Sequence, residues 1–173
     1  MPQDIAYLNR IYELQVYRAQ IKNFLDTYKP YFIFQGQQYG IEDIASYHIH
    51  AADALIKQAP KGGHSNYGGK ALVYFDPQII ENGPLGAQDI ILYNFRNLNL
   101  TKKTTVYSQD WPEFVCDLKA LEVMMNDKTI IKISKDQKIL EFIGFTTEGL
   151  RIRIYYDIVN KRIKTHHPFW KEN

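Results

Sequence analysis

Apolar residues Ile11, Leu14, Ile21, Leu25 and Tyr28 recur at spacings of 3, 7, 4 and 3 with no Pro or Gly between them, a helical period that predicts a helix from Asp4 to about Tyr28. Lys29-Pro30 ends it, because proline cannot donate to a continuing turn. Ile5, Leu8, Tyr12, Val16 and Ala19 lie on a second flank, so the helix is expected to pack against more than one surface. Gly36 to Gly40 reads as a turn. Ile44, Tyr47, Ala51 and Leu55 predict a second helix over Glu42 to about Gln58, stopped by Ala59-Pro60-Lys61-Gly62-Gly63.

Beyond His64 the period changes. Lys70–Phe75 and Asp89–Leu100 read as strands, separated by a loop over Asp76–Gly86 with its prolines and glycines. Thr104–Tyr107 is a short β-branched run, and Asp110 as a cap with Pro112 near the first turn predicts a helix through about Met125. Thr129–Ile133, Ile139–Phe145, Leu150–Val159 and the run Arg162–Pro168 follow as strands around short polar turns. The order predicts an α+β fold, with N-terminal helices followed by a mostly antiparallel, twisted β-sheet and one intervening helix.

Composition narrows the class. At 173 residues the chain suits one core, and 45% hydrophobic with 23% charged residues excludes a disordered or collagen-like chain. No run reaches the roughly 20 apolar residues of a membrane helix, and no signal peptide opens the sequence, so no membrane partner is expected. A single cysteine, Cys116, forbids an intrachain disulfide and, placed inside a predicted helix, reads as a buried residue. Net charge is +2, but residues 1–127 carry −3 and 128–173 carry +5, a basic C-terminal quarter compatible with a polyanionic partner or with solubility alone.

The chemistry gathers on five histidines: His48 and His50 on the second helix, His64 behind a Gly-Gly turn, and His166-His167 in the last strand. Two imidazoles facing one cleft suit general acid–base work near neutral pH, and Lys102 or Lys103 can stabilise charge developing on a phosphate. His48 and His64 lie 16 residues apart on a segment able to fold back on itself.

The series Tyr47-His48-Ile49, Gly62-Gly63-His64, Thr104-Thr105-Val106-Tyr107 leading to Trp111 and a helix, Leu150–Tyr156, and Ile163-Lys164-Thr165 before Pro168 resembles the EndoU family of RNA endonucleases over about residues 44 to 170. The resemblance implies an EndoU or RNase A-like catalytic domain over residues 41–173 behind a helical extension over 1–40. It places the first catalytic histidine at His48, with His50 as competitor, and the second at His64. The lysine falls at Lys102 or Lys103 and the terminal hydroxyl at Thr165. The tandem His166-His167 departs from the family pattern.

The implied reaction is metal-independent cleavage of RNA by 2′-hydroxyl attack, leaving a 2′,3′-cyclic phosphate and needing no cofactor. Lys70, Tyr67, His166 and His167 are candidate RNA-binding residues, and Tyr67, Tyr155 or Trp170 can stack on an unpaired base. Bacterial members are commonly toxin modules of contact-dependent inhibition, which implies RNA such as tRNA as target and an immunity protein as partner. The setting is then the cytoplasm of the producing or target cell, or secretion within a larger toxin. Two alternatives stand beside this reading. One is a metal-dependent nuclease built on His64, His166, His167 and Asp53 or Asp157; the other is a non-catalytic immunity-like or nucleic-acid-binding protein.

Overall fold

The computed structural model describes residues 2–53 and 58–171. The N-terminal helix, α1, runs Pro2–Tyr28 and ends where Lys29 takes a positive φ of 48° before Pro30. Arg10, Leu14, Ile21 and Leu25 form its buried face. The second apolar flank does not pack as the pattern predicts: Ile5, Leu8, Tyr12 and Val16 stay exposed. The hairpin β1 (Tyr31–Phe34) and β2 (Gln37–Gly40) follows, turning at Gln35-Gly36, both with positive φ.

The second helix is much shorter than its apolar spacing predicts. Asp43–Ile44 forms β3, and α2 covers only Ser46–Ala51. Ala52 breaks it at φ 62°, and Asp53 bridges to Lys61 instead of continuing the helix. The remaining predicted stretch over 54–57 lies outside the described residues. Lys70–Phe75 forms short 3-10 turns rather than the expected strand, burying Leu72, Tyr74 and Phe75 together. Part of the expected loop is instead β4 (Gln78–Asn82), paired with β5 (Gln88–Tyr93), which pairs with β6 (Thr101–Val106). The apolar run 71–75 satisfies a strand or a turn equally, whereas β4 is an edge strand whose existence depends on its distant partner.

Helix α3 spans Glu113–Met124, with Pro112 at the N-cap and no side-chain cap from Asp110. The strands β7 (Ile130–Ile133), β8 (Ile139–Phe145), β9 (Arg151–Asp157) and β10 (Arg162–Pro168) complete a sheet of order β3-β10-β9-β8-β7, antiparallel except for the β3–β10 pair. The architecture is the α+β arrangement expected: helix first, then antiparallel sheets with one helix between them.

The main core lies between this sheet, α3 and α1, where Ile21, Leu25, Phe32, Leu121, Phe142 and Ile154 meet. A smaller cluster of Leu72, Phe75, Ile90, Leu92 and Val106 fills the three-stranded sheet. Along β9 the alternation is regular, Ile152, Ile154 and Tyr156 inward and Arg151, Arg153 and Tyr155 outward. Along β10 a register shift between Ile163 and Thr165 inverts it. Ile163 faces the core, yet so do His166 and Pro168, leaving Thr165 and His167 on the opposite face beside Tyr155 and Arg153.

Candidate functional site

A cleft of about 540 Å³ opens between β6 and the outer face of β9 and β10. His48, His64, Lys102, Arg153, Thr165 and His167 line it, with Thr105, Phe169 and Trp170. His48 arrives on α2. His64 arrives because Gly62 and Gly63, at φ 83° and 76°, turn the chain back so that Gly63 N–H donates to His48 O at 2.9 Å and His64 N–H to Ile49 O at 2.6 Å. On its other side His64 O accepts from Tyr107 N–H at 3.0 Å. His64 is thereby clamped between α2 and β6.

The imidazoles are oriented individually. His64 Nδ1 lies 2.9 Å from the Thr105 carbonyl and 3.0 Å from Thr104 Oγ1. A carbonyl only accepts, so Nδ1 carries the hydrogen and Nε2 the lone pair. His167 repeats this with Nδ1 3.1 Å from the Pro168 carbonyl, which also takes the Thr105 hydroxyl at 2.5 Å. His48 Nδ1 meets Asp53 Oδ2 at 2.9 Å. Ring centroids lie 6.4 Å apart for His48 and His64, and 4.9 Å for His64 and His167.

Electrostatics follow from burial and from a basic lining. Burial, then the neighbouring His167, Lys102 and His48, hold His64 well below the ordinary histidine value, against the opposing Thr105 carbonyl. Burial chiefly, with Arg153, His166 and Lys102, lowers His167 to about 4. Lys102 is lowered by burial and by Lys61, with Asp53 opposing. The hydrogen bond from His48 keeps the Asp53 carboxyl below its usual range. Arg153 lies 4.4 Å over the Phe169 ring, with Arg151 at 4.1 Å, and Arg153 Nε stands 3.5 Å from Glu141. Thr165 Oγ1 and Trp170 Nε1 are buried with no hydrogen-bond partner among the described residues.

The structure therefore brings His48, His64, Lys102, Lys103, Thr165 and His167 around one cleft. It does not bring His50 or His166 there. Both are fully buried, His50 on the inward side of α2 and His166 on the inward side of β10, and both bond Asp117 of α3. His166, expected against RNA, has no surface to offer it. Tyr67 and Lys70 line a separate depression against α1 with Asn9, Arg10 and Glu113. Cys116 is fully buried, and burial with the neighbouring Asp117 and Glu113 pushes its thiol well up.

The metal-nuclease alternative loses its ligand set. His166 is committed to Asp117, Asp157 caps the turn at Asn160, and among the described residues no three His, Cys, Asp or Glu side chains are placed to hold an ion. Asp53 instead acts on His48. Its role there, and those of Arg153 and Thr105, were not legible from the sequence. Asp53 sits five residues beyond His48, a spacing that a continuing helix would not bring together.

No family model and no curated protein matches the sequence. Among solved structures, the endoribonuclease Nsp15 encoded by Middle East Respiratory Syndrome Coronavirus is similar at 14% identity and a TM-score of 0.42, over 73% of this chain. The match spans 34% of that chain, so the present sequence corresponds to about a third of its length. No helix among the described residues is long and apolar enough to cross a membrane.

Proposed function

We propose that the cleft cleaves RNA by internal transesterification, with His64 as general base and His48 as general acid. The observation that carries this reading is the convergence of His48 and His64 on one basic cleft, each held at Nδ1 so that Nε2 is left for proton transfer. His64 starts neutral and accepts the ribose 2′-hydroxyl proton as that oxygen attacks the adjacent phosphorus. The bond from phosphorus to the 5′-oxygen breaks, and His48, its Nδ1–H held by Asp53, delivers a proton to the leaving oxygen. A 2′,3′-cyclic phosphate and a 5′-hydroxyl result, with every atom accounted for and no oxidant or cofactor consumed.

Lys102 supplies positive charge for the pentacoordinate phosphorane and Arg153 stands on the opposite wall to orient it, with Thr165 beside it in the lining. Charge alone favours any polyanion; the demand for a 2′-hydroxyl selects RNA over DNA. A toxin setting with an immunity partner, which the resemblance also implies, rests on that cleavage.

The test is incubation of purified protein with single-stranded RNA, with and without EDTA, followed by end-group analysis. Cleavage that survives EDTA, leaves cyclic-phosphate ends, stops at a 2′-deoxy linkage and disappears in His64→Ala is expected. RNA left intact at high protein concentration, or activity lost to EDTA, overturns the reading.

A further inference from the structure

Beneath the cleft lies a second constellation that RNA cannot touch. Asp117, His50, His166, Ser65 and Tyr107 are buried in one hydrogen-bonded group. His50 Nε2 lies 3.1 Å from Asp117 Oδ2 and His166 Nε2 2.6 Å from Asp117 Oδ1. Ser65 Oγ lies 2.6 Å from His50 Nδ1, and Tyr107 Oη 2.6 Å from His166 Nδ1. One proton arrangement satisfies all of them: each imidazole donates from Nε2 to the carboxylate and accepts a hydroxyl proton at Nδ1. Burial by itself would raise the Asp117 carboxyl, but His50 and His166 outweigh it and hold Asp117 ionised.

Each member except Asp117 neighbours a cleft residue in sequence. His50 is two positions from His48 on α2, Ser65 adjoins His64, and His166 adjoins His167 on β10. Tyr107 is two positions from Thr105, which fixes His64 through its carbonyl and Pro168 through its hydroxyl. Four separate segments of chain that carry the cleft are therefore tied, from the core side, to a single carboxylate on α3. Apolar residues of similar volume can replace such a buried group at no loss of stability, so stability alone gives no reason for it. Fixing the relative placement of side chains does, because in-line attack tolerates little displacement.

We infer that the Asp117 network is the positioning device of the cleft, setting the mutual placement of His48, His64 and His167 through the backbone beneath them. Its members are positioning residues, and the inference rests on the proposed RNA cleavage for its catalytic readout. The fold supplies an internal control. Tyr17 of α1 also donates its hydroxyl to Asp117, yet α1 contributes no residue to the cleft.

The experiment compares Tyr107→Phe and Ser65→Ala, each of which deletes one hydroxyl from the network, with Tyr17→Phe, which deletes a hydroxyl that reaches Asp117 from outside it. Three readouts are taken: thermal midpoint, kcat and KM on single-stranded RNA, and the NMR titration of the histidine rings. Tyr107→Phe and Ser65→Ala are expected to lower kcat by about tenfold to a hundredfold with KM within about twofold, whereas Tyr17→Phe lowers the midpoint and leaves kcat within about twofold. The His64 and His167 titrations should move in the first two variants and not in Tyr17→Phe. If all three variants lose thermal midpoint alike and keep wild-type kcat and histidine titrations, the network is structural only and the inference is overturned. A wild-type protein that cleaves no RNA refutes the proposed function instead, and the titrations then decide the positioning role. Should Tyr107→Phe not fold, Ser65→Ala carries the test at the His64 end.

Discussion

A histidine that must take a proton works from its neutral form, and burial gives His64 that form well below the pH at which an ordinary imidazole loses its proton. Activity requires the deprotonated ring, so the acid limb of the kcat/KM profile should lie below the unperturbed histidine value of about 6.5. Rates measured across pH 4 to 9, a range chosen to bracket that value by about two units, are expected to stay high at pH 6 and to fall only further into acid. A limb centred at or above the ordinary histidine value would show that His64 is solvated in solution and would remove it as the neutral base. The sequence located His64 through its Gly-Gly turn, but neither its burial nor its carbonyl partner, since Thr105 comes from a strand 41 residues away.

At the scale of elements, the fold of the 61–64 segment onto α2 sets the spacing between His48 and His64. A Cβ on Gly62 would stand 2.0 Å from His48 O, a backbone atom that cannot step aside, whereas one on Gly36 in the β1–β2 turn meets nothing within 4 Å. Both glycines have positive φ. Gly36→Ala is therefore expected to cost about 1 kcal/mol of stability through backbone strain and no activity. Gly62→Ala should cost more, on the order of 2–4 kcal/mol, and lower kcat even in the folded fraction, because α2 must shift. Denaturant unfolding with parallel kinetics checks the pair; equal effects from the two would mean that the close approach at His48 is not there.

Elements were legible where local signals sufficed. The bounds of α1 and of β8 followed from periodicity and from Lys29-Pro30, whereas the predicted helix over Glu42–Gln58 shrank to Ser46–Ala51 once Ile44 was drawn into pairing with β10 and Ala52 reversed its φ.

Across the whole molecule the buried imidazoles couple folding to pH. His64, His166 and His167 all bind a proton less readily folded than unfolded, burial being the first cause of each. From about pH 6.5 downward the unfolded chain therefore holds more protons than the folded one, and stability falls as pH falls. Asp117 adds to the loss below about pH 4, where the unfolded carboxyl takes a proton and the folded one, held far lower, does not. Thermal midpoints should drop steadily from about pH 7 to about pH 5, a range in which surface carboxylates scarcely titrate. A flat or rising midpoint there would contradict the burial of these rings.

The sequence by itself determined the α+β class, the long first helix, the regular strands β8 and β9, and the residue types from which a site could be built. Those are local quantities, written in period, turn residues and composition. Tertiary structure alone decided which histidines share a cleft. Simple alternation from Ile163 along β10 would bury Thr165 and His167 and expose His166. The register shift between Ile163 and Thr165 reverses that, sending His166 to Asp117 and Thr165 and His167 to the open face. Likewise His48 and His50 differ by two positions on one short helix, and only the sites of Asp53 and Asp117 separate the solvent-facing ring from the buried one. A bulge and a buried carboxylate act through partners distant in sequence, and no local pattern carries their positions.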